Sequence, residues 1–569
     1  GSVFRVYEAH EYVFKYDPGA DTDWVLQEND DGGNLIQETS VTDGGGLTLP
    51  KDITHEVKDD LGNVVRREIE TISDVDGGAE TLARVTKRKV LVSQGPDTYL
   101  ETDYTYYGTA GVKYGLIKSI EYPDDRWVLR DYDADGRLDW EASSWKDKTL
   151  ADALSDSSAA RKVDYDYDEI TGTGDPDDPD VGVDEPRIVT ETIEGEEVST
   201  TFNTYLWDAT AEQRVETTYR AATQAAAFDA STNLKTVRRY YDPNPATASK
   251  QDGRLASVEH PDGRLDEYTY EAGTYTPDHA GGTTFSFSAG TGSDCRMTVT
   301  HGTGTPGSAT FHDGESTKEI RITNESGRVM LEATYVRDGA AWSSAIVTWT
   351  EYEYDDQGRL INSFHSDGTE RNITYKLGTC SGTCAGQIDE ETDRNGIVTS
   401  YEEYDEFGRV KKKVKEGLTG GPGDIWTIYE YDGMGRVTKE TTQDAETSPT
   451  LSLVREWKYD LAGRLDETTD ASGLVTEYDY LPSDMSNPRR EEVESPGGAL
   501  RTTAYFGDGQ IKSVTGTAVV AQYYDYGVNT ADGTQWTKIT AGASCSDNWT
   551  KTTTDLLGRV TESRQPGHG

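Results

Sequence analysis

Short runs in which aromatic and polar residues alternate recur along most of this chain, and each ends at an acidic turn. In Tyr352-Glu353-Tyr354, Tyr429-Glu430-Tyr431, Trp457-Lys458-Tyr459 and Tyr268-Thr269-Tyr270 the rings fall at every second position, the period that lines one face of an extended strand. Asp then follows with Gly at a fixed distance: Asp355 and Gly358, Asp405 and Gly408, Asp432 and Gly435, Asp460 and Gly463. An Asp side chain accepts from the backbone just downstream, and Gly takes a positive φ without a Cβ clash. The pair predicts a type I turn with a left-handed last residue, the shape of a hairpin loop with a G1 bulge. Arg and an aliphatic residue then lead a returning alternation rich in Thr and Val, as in Arg436-Val437-Thr438-Lys439-Glu440-Thr441. That composition suits a strand, and no helical period competes with it.

Copies reading Tyr-Asp-x-x-Gly-Arg begin at Tyr132, Tyr354, Tyr404, Tyr431 and Tyr459, and Asp555-Leu556-Leu557-Gly558-Arg559 repeats the phrase without its tyrosine. A second turn class falls between them, at Pro261-Asp262-Gly263-Arg264, Ser366-Asp367-Gly368-Thr369, Asp393-Arg394-Asn395-Gly396 and Asp470-Ala471-Ser472-Gly473. Together they predict continuous antiparallel hairpins in which no unit buries a face alone and stability comes from neighbours. A chain of 569 residues is too long for one ordinary core, but a repeat sheet grows by neighbour contacts, so one continuous superstructure is expected.

The series resembles the RHS or YD-repeat family. The resemblance runs from Asp59-Asp60-Leu61-Gly62-Asn63 to Gly558-Arg559, through interturn stretches such as Gly115-Leu116-Ile117-Lys118-Ser119 and Gly253-Arg254-Leu255-Ala256-Ser257. It implies an all-β fold in which YD-repeat antiparallel hairpins wind into a spiral hollow barrel or shell, as in bacterial toxin-enclosing cocoons and the shell of the teneurins. It further implies a non-enzymatic structural segment of a large secreted or cell-surface bacterial protein, serving encapsulation or scaffolding. The implied partners are the rest of a longer polypeptide and a C-terminal cargo or toxin. Toxin-type relatives carry a self-cleaving core with paired Asp-Pro-x-Gly motifs. Here the single Asp17-Pro18-Gly19 stands at the opposite end, and no such core is recognisable.

Four regions are expected along the ribbon: 1–140, β-structure of degenerate repeats; 141–235, β-structure with helical and acidic-loop insertions; 236–348, repeat-like β-structure with a Gly/Thr-rich insertion; and 349–569, the regular repeats. The helical expectation rests on Thr149 to Lys162 and Ala209 to Phe228, which are rich in Ala. Between them Gly172 to Asp180 reads as a proline-broken acidic loop, and Gly281 to Gly307 as a longer surface hairpin.

Charge narrows the partners. With 104 Asp and Glu against 55 Lys and Arg, the formal net charge is -49, which disfavours nucleic acid, since phosphates need a basic patch. The one compact basic run, Lys411-Lys412-Lys413-Val414-Lys415, lies on an expected strand. An acidic surface keeps a large sheet soluble and its copies apart. No apolar run approaches membrane-spanning length, so no membrane insertion is expected of this segment. The 34 Tyr and 11 Trp, with their strict patterning, argue against disorder.

Candidate chemistry is sparse. Asp131, Asp133 and Asp135 match the opening of a calcium-binding EF-hand loop, but its twelfth position is Ala142 where a bidentate Glu belongs, and the flanks read as strands. The same residues form a repeat turn, and the structural reading is favoured. Asp175, Asp177 and Asp180 hold enough oxygens for a loose calcium site, although such loops are more often simply solvated; no other cofactor is expected. Cys380 and Cys384 are placed to close a small hairpin disulfide, with free thiols as the competing reading and too few neighbouring ligands for a metal. Cys295 and His301, with Asp294 adjacent, are the one nucleophile and base close in sequence, and ordinary loop roles outweigh catalysis. No enzymatic activity is expected. Exposed aromatics could bind cell-surface glycans, the adhesin alternative, but rings at alternate strand positions more often pack in a ladder along the sheet.

Overall fold

The computed structural model describes residues 2–4, 11–16, 24–29, 35–43, 49–59, 61–75, 82–109, 111–170, 172–173, 185–242, 251–277, 285–339, 341–342, 348–376, 386–405, 407–417, 423–484, 487–543 and 547–566. Among them one antiparallel sheet of 42 strands takes in all but two strands. Along the ribbon strand follows strand, as Thr348–Tyr354 with Leu360–His365 and then Glu370–Tyr375, while Ser286–Ala289, Ser308–Thr310 and Ala341–Trp342 are short additions that each pair only with the strand before them. Ser2–Phe4 and Val560–Arg564 each pair on one side alone. The fold is thus all-β and its sheet is an open ribbon, not a barrel closed by hydrogen bonds.

The hairpin loops take the expected shape. Asp355 N–H donates to the Arg359 carbonyl at 2.9 Å, and Gly358 N–H donates to the Asp355 carbonyl at 2.8 Å. The strand register then slips by one residue between Glu353 and Tyr354, the mark of a bulge. Gly358, Gly408, Gly435 and Gly463 take φ of 77°, 75°, 83° and 91°, where a side chain would meet its own backbone. Because neighbouring strands are antiparallel throughout, loops alternate between two edges of the ribbon. Every Tyr-Asp-x-x-Gly-Arg loop falls on one of them, the motif edge, from 133–137 through 355–359, 405–409, 432–436 and 460–464 to 555–559. The second turn class lines the other, the counter edge.

Helical structure is confined to one of its two expected places. Leu150–Ser155 forms a helix capped by Thr149, whose side chain and that of Asp152 exchange hydrogen bonds with each other's backbone. A 3-10 turn, Ser157–Ala159, follows. Ala153 packs on Trp127, Leu129 and Ala142 of the sheet. The helix expected over Ala209 to Phe228 is not formed. Gln213–Arg220 is instead a strand paired on both sides, with Val215, Thr217 and Tyr219 buried on one face. Alternation at those three positions overrides the alanine content, because two strand neighbours supply what an isolated helix would lack. The surface hairpin expected over 281–307 does not form within those bounds: Ser286–Ala289 and Asp294–Thr305 both pair with Arg264–Thr276 and not with each other, and 278–284 lie outside the described residues. Leu234–Tyr241 and Thr348–Tyr354 run through the region limits at 235 and 348 without a break.

Buried apolar residues form four separate clusters among the described residues, none larger than five fully buried side chains. An ordinary domain gathers them into one contiguous core. No helix of the described residues is long and apolar enough to cross a membrane.

Candidate functional site: the turn relay and the winding seam

Each repeat turn is clamped by its own aspartate. One oxygen of Asp432 accepts from the Met434 and Arg436 backbone N–H groups, both at 2.9 Å, and the other from Arg436 Nε at 2.7 Å. Asp355, Asp405 and Asp460 hold Arg359, Arg409 and Arg464 in the same way, at 2.8, 2.5 and 2.7 Å to Nε. The backbone N–H of Arg359, joined by its guanidinium, holds the Asp355 carboxyl below the usual carboxylate range against the opposing effect of desolvation.

The clamped guanidinium lies over the tyrosine ring of the following hairpin. Arg359 covers Tyr375 at 4.2 Å, Arg409 covers Tyr431 at 4.6 Å, Arg436 covers Tyr459 at 4.5 Å and Arg464 covers Tyr480 at 4.5 Å. The covered tyrosine reaches back: Tyr375 OH donates to the Leu360 carbonyl at 2.8 Å and Tyr431 OH to the Val410 carbonyl at 2.6 Å. Arg436 Nη1 also donates to the Asp460 carbonyl at 3.3 Å. Asp, Arg, Tyr and the next Asp turn therefore form a relay along the motif edge, each link a charge-assisted hydrogen bond or a cation over a ring. Burial pushes the covered tyrosines Tyr375, Tyr431 and Tyr480 up. Burial, with Tyr401 and Asp389 nearby, pushes Tyr404 up to about 12.

An aromatic ladder was the expected device, and the sequence reading missed that arginine is its other rung. The signal was available in the motif, which ends in Arg at every copy. A further repeat was hidden by its loop. Tyr375 pairs with Ile388, Lys376 N–H donates to the Gln387 carbonyl at 2.8 Å and Gly386 N–H to the Lys376 carbonyl at 3.1 Å, so Gly386-Gln387 meets Lys376 as the end of a repeat turn meets its start. Cys380 and Cys384, between them in sequence, lie outside the described residues.

The ribbon meets itself edge to edge. Hydrogen bonds join residues 336 to 396 positions apart, between motif-edge loops or adjoining strands of the C-terminal part and the counter edge of the N-terminal part. Leu461 N–H donates to the Val92 carbonyl at 3.0 Å, and Gln37 Nε2 to the Gly433 carbonyl at 3.0 Å. Lys146 donates from its backbone to Asp508 at 2.6 Å and from Nζ to Asp525 at 2.7 Å, while Lys512 Nζ reaches Asp147 at 2.7 Å. Tyr526 and Val528 pack on Trp145, Ile193 and Val198. Two open cavities, of about 720 and 690 Å³, straddle this seam. Trp127, Trp145, Asp508 and Trp536 line the first, and His55, Glu68, Phe407 and Met434 the second.

The other sequence candidates are dispersed. Asp131 accepts from Tyr107 OH at 2.9 Å and pairs with Lys113 Nζ at 2.5 Å, Asp133 clamps Arg137, and Asp135 reaches the same guanidinium at 3.3 Å. Their carboxylates serve a repeat turn and its neighbour. No group of three or more His, Cys, Asp or Glu side chains arranged to hold a metal occurs among the described residues. Asp175, Asp177 and Asp180 lie outside them. Cys295 is a buried free thiol that accepts from Arg254 at 3.4 Å. His301 bonds Asp266 at 2.7 Å, six positions along the same strand from Cys295 and so about 20 Å away. Within the basic run, Lys412 pairs with Glu403 and Glu446 at 3.1 and 2.6 Å.

No protein-family model matches the sequence, and no curated protein matches it. Among solved structures, the chain is similar to one titled TcdB2-TccC3, at 10% identity and a TM-score of 0.27, over 98% of this chain and 36% of that one. It is also similar to TcdB2-TccC3 without its hypervariable C-terminal region, at 10% identity and a TM-score of 0.22, and to the Tc holotoxin pore of Photorhabdus luminescens, at 10% identity and 0.17. These matches cover 93% of this chain and about a third of the neighbours' length.

Proposed function

We propose that this chain is a non-enzymatic wall segment of a larger YD-repeat polypeptide, serving to enclose or scaffold. The observation that carries this reading is the seam: a ribbon that meets its own edge after one winding surrounds the space it has gone round. One winding, followed along the pairings from Leu138–Ser143 to Ala499–Tyr505, takes about 23 strands, and at about 4.8 Å per strand that is about 110 Å round and about 35 Å across. Barrels of 16–18 strands already leave an aqueous channel, so a winding of this size is too wide for its own side chains to fill. The small scattered clusters of buried residues agree with such a wall. A secreted or cell-surface location and an enclosed C-terminal cargo or toxin belong to the same proposal. Glycan binding receives less support, since the repeat tyrosines are occupied by guanidinium groups and by backbone carbonyls.

The test is a cryo-EM or small-angle scattering envelope of the chain. A ring with a low-density centre about 20 Å or more wide is expected. A solid body, or an open rod with no seam, would overturn enclosure.

A further inference from the structure

Lys318 is a lysine without an acid. Its Nζ lies 4.3 Å from the centre of the Tyr335 ring and 5.6 Å from that of Trp342, and it makes no hydrogen bond or ion pair among the described residues. With 104 Asp and Glu against 55 Lys and Arg in the chain, a half-buried amine that meets none of them is unusual. Lys58, Lys87, Lys412 and Lys458 each sit on carboxylates that push the amine up. Burial, with the Arg296 charge added, pushes Lys318 down.

The register explains the missing partner. Thr300 and Tyr335 stand directly across from Lys318 on the two neighbouring strands and share its face. One strand beyond Thr300, Glu267 accepts from the Gly307 backbone N–H at 2.7 Å, and Glu271 pairs with Arg296. Glu319 and Glu332 alternate onto the opposite face, where Glu319 lies 3.8 Å from His301 Nε2 and Glu332 lies 3.5 Å from Arg321 Nε. In the loop before the strand His312 bonds Thr303, Asp313 accepts from the Gly339 N–H, and Glu315 is exposed. Arg337, two positions past Tyr335 on the same face, lies 5.5 Å from the centre of the Trp342 ring, so a lysine and an arginine share one indole. The rings attract an ammonium ion and oppose the effect of burial, but they also hold the amine beside a guanidinium.

We propose that Lys318 is a reversible attachment site for a small oxo acid, an aldehyde or ketone that carries a carboxylate. The neutral amine attacks the carbonyl carbon, a C–N bond forms, and the amine proton passes to the oxygen. Loss of that oxygen as water leaves an imine, so amine and carbonyl give imine and water. Lysines desolvated beside another cation are the ones that do this chemistry. Arg337 supplies a guanidinium for the carboxylate, which it can meet with two parallel hydrogen bonds. A lysine such as Lys412, paired with Glu403 and Glu446, is held protonated and does not compete. The inference is independent of enclosure, because it rests on one face of four neighbouring strands and on nothing at the seam.

The experiment treats the parent chain with glyoxylate as the probe and sodium cyanoborohydride to reduce the imine, and reads the adduct at each lysine by peptide mass. Lys235 is the control within the same chain, since it is exposed and its Nζ also faces a ring, that of Tyr219 at 5.9 Å. At pH 7 Lys318 should be modified about ten-fold faster than Lys235, its lead should narrow as pH rises, and its rate should saturate with glyoxylate concentration. Arg337→Gln, checked for an unchanged melting temperature, should slow the reaction with glyoxylate several-fold more than that with propionaldehyde, which has no carboxylate. Lys318 reacting no faster than Lys235 in the parent chain overturns the proposal without any variant. A rate that rises linearly with glyoxylate, or equal slowing of both aldehydes by Arg337→Gln, overturns it as well, by showing an amine with no seat for a carboxylate. None of these outcomes bears on the scattering envelope, which tests enclosure alone.

Discussion

Within Glu196–Asp208 and Gln213–Arg220 every second side chain is buried over 198–204 and 215–219: Val198, Thr200, Phe202 and Thr204 on one strand, Val215, Thr217 and Tyr219 on the next. The short parallel pair Gly172–Thr173 and Phe228–Asp229 accompanies them, and Phe228 meets the rings of Phe202 and Tyr219 edge-on at 5.5 and 4.9 Å. In Ile425–Tyr431, Val437–Gln443 and Ser452–Tyr459 only Gln443 is buried. Those strands carry cross-strand ion pairs such as Lys439 with Glu430 and Arg455 with Glu440, and their order comes from the Asp-Arg-Tyr relay on the motif edge. One stretch of the sheet is held by a small apolar core and the other by polar links between loops. A sheet can therefore extend beyond the reach of any covering layer, provided each loop is tied to the next.

The largest expected effect breaks the core side of this contrast. Phe228→Ala removes a ring that is 1% exposed and should cost about 3–5 kcal/mol, read as a lower urea midpoint for the middle of the sheet. The regular repeats should keep their own transition, since repeat arrays respond locally. A uniform loss across the chain would mean that the two stretches are one cooperative unit.

On the relay side, Gly435→Ala places a Cβ at φ 83° and 2.8 Å from Arg409 Nη1. Left-handed strain of about 1–2 kcal/mol is expected, with added displacement of the guanidinium from Tyr431. Gly473→Ala, at φ 78° with nothing within 4 Å, isolates the strain term and should cost less. Equal costs at the two sites would remove the relay from the account.

A double-mutant cycle measures one link directly. Arg409→Ala combined with Tyr431→Leu should show a coupling of about 0.5–1 kcal/mol, the range for a cation over an exposed ring. Tyr431→Phe keeps the ring and loses only the hydroxyl bond to Val410, so its coupling to Arg409→Ala should fall close to zero. Zero coupling in the first cycle would reduce the stacked geometry to coincidence.

What was legible in the sequence follows the range of the interaction. Asp and Gly at fixed spacing act within five residues, and the turn, the bulge and the strand alternation could all be read from them. The tyrosine under Arg436 is Tyr459, in the next hairpin, so the motif displayed both partners without showing that they meet. The segment at 209–228 was misread because propensity was weighed above the alternation of Val215, Thr217 and Tyr219. The seam joins residues more than 300 positions apart, beyond any local signal. Even so, the sequence held a mark of it, since the variable residues of the motif turn apolar from Phe407 onward where the loops acquire a winding beneath them.

The smallest effect concerns acid, and its sign separates the two stretches. The Asp355 carboxyl is held below its usual value near 3.8 by the Arg359 backbone N–H and then by its guanidinium, and that of Asp393 by the Ile397 backbone N–H. In the unfolded chain these groups bind protons first, so the stability they contribute is present above about pH 3.8 and is lost as pH falls through their lower folded values. Hydrogen exchange at pH 5 and at pH 3, corrected for intrinsic rates, should show amides of the 355–359 and 393–397 loops losing protection. Phe202 and Tyr219, held by apolar contacts, should keep theirs. Protonation across a chain of net charge -49 also relieves self-repulsion, which favours the folded state globally and opposes the loss at the loops. A local measurement is needed for that reason. Loops as protected at pH 3 as at pH 5 would show that the aspartate clamp orders the turn through its geometry without needing its charge.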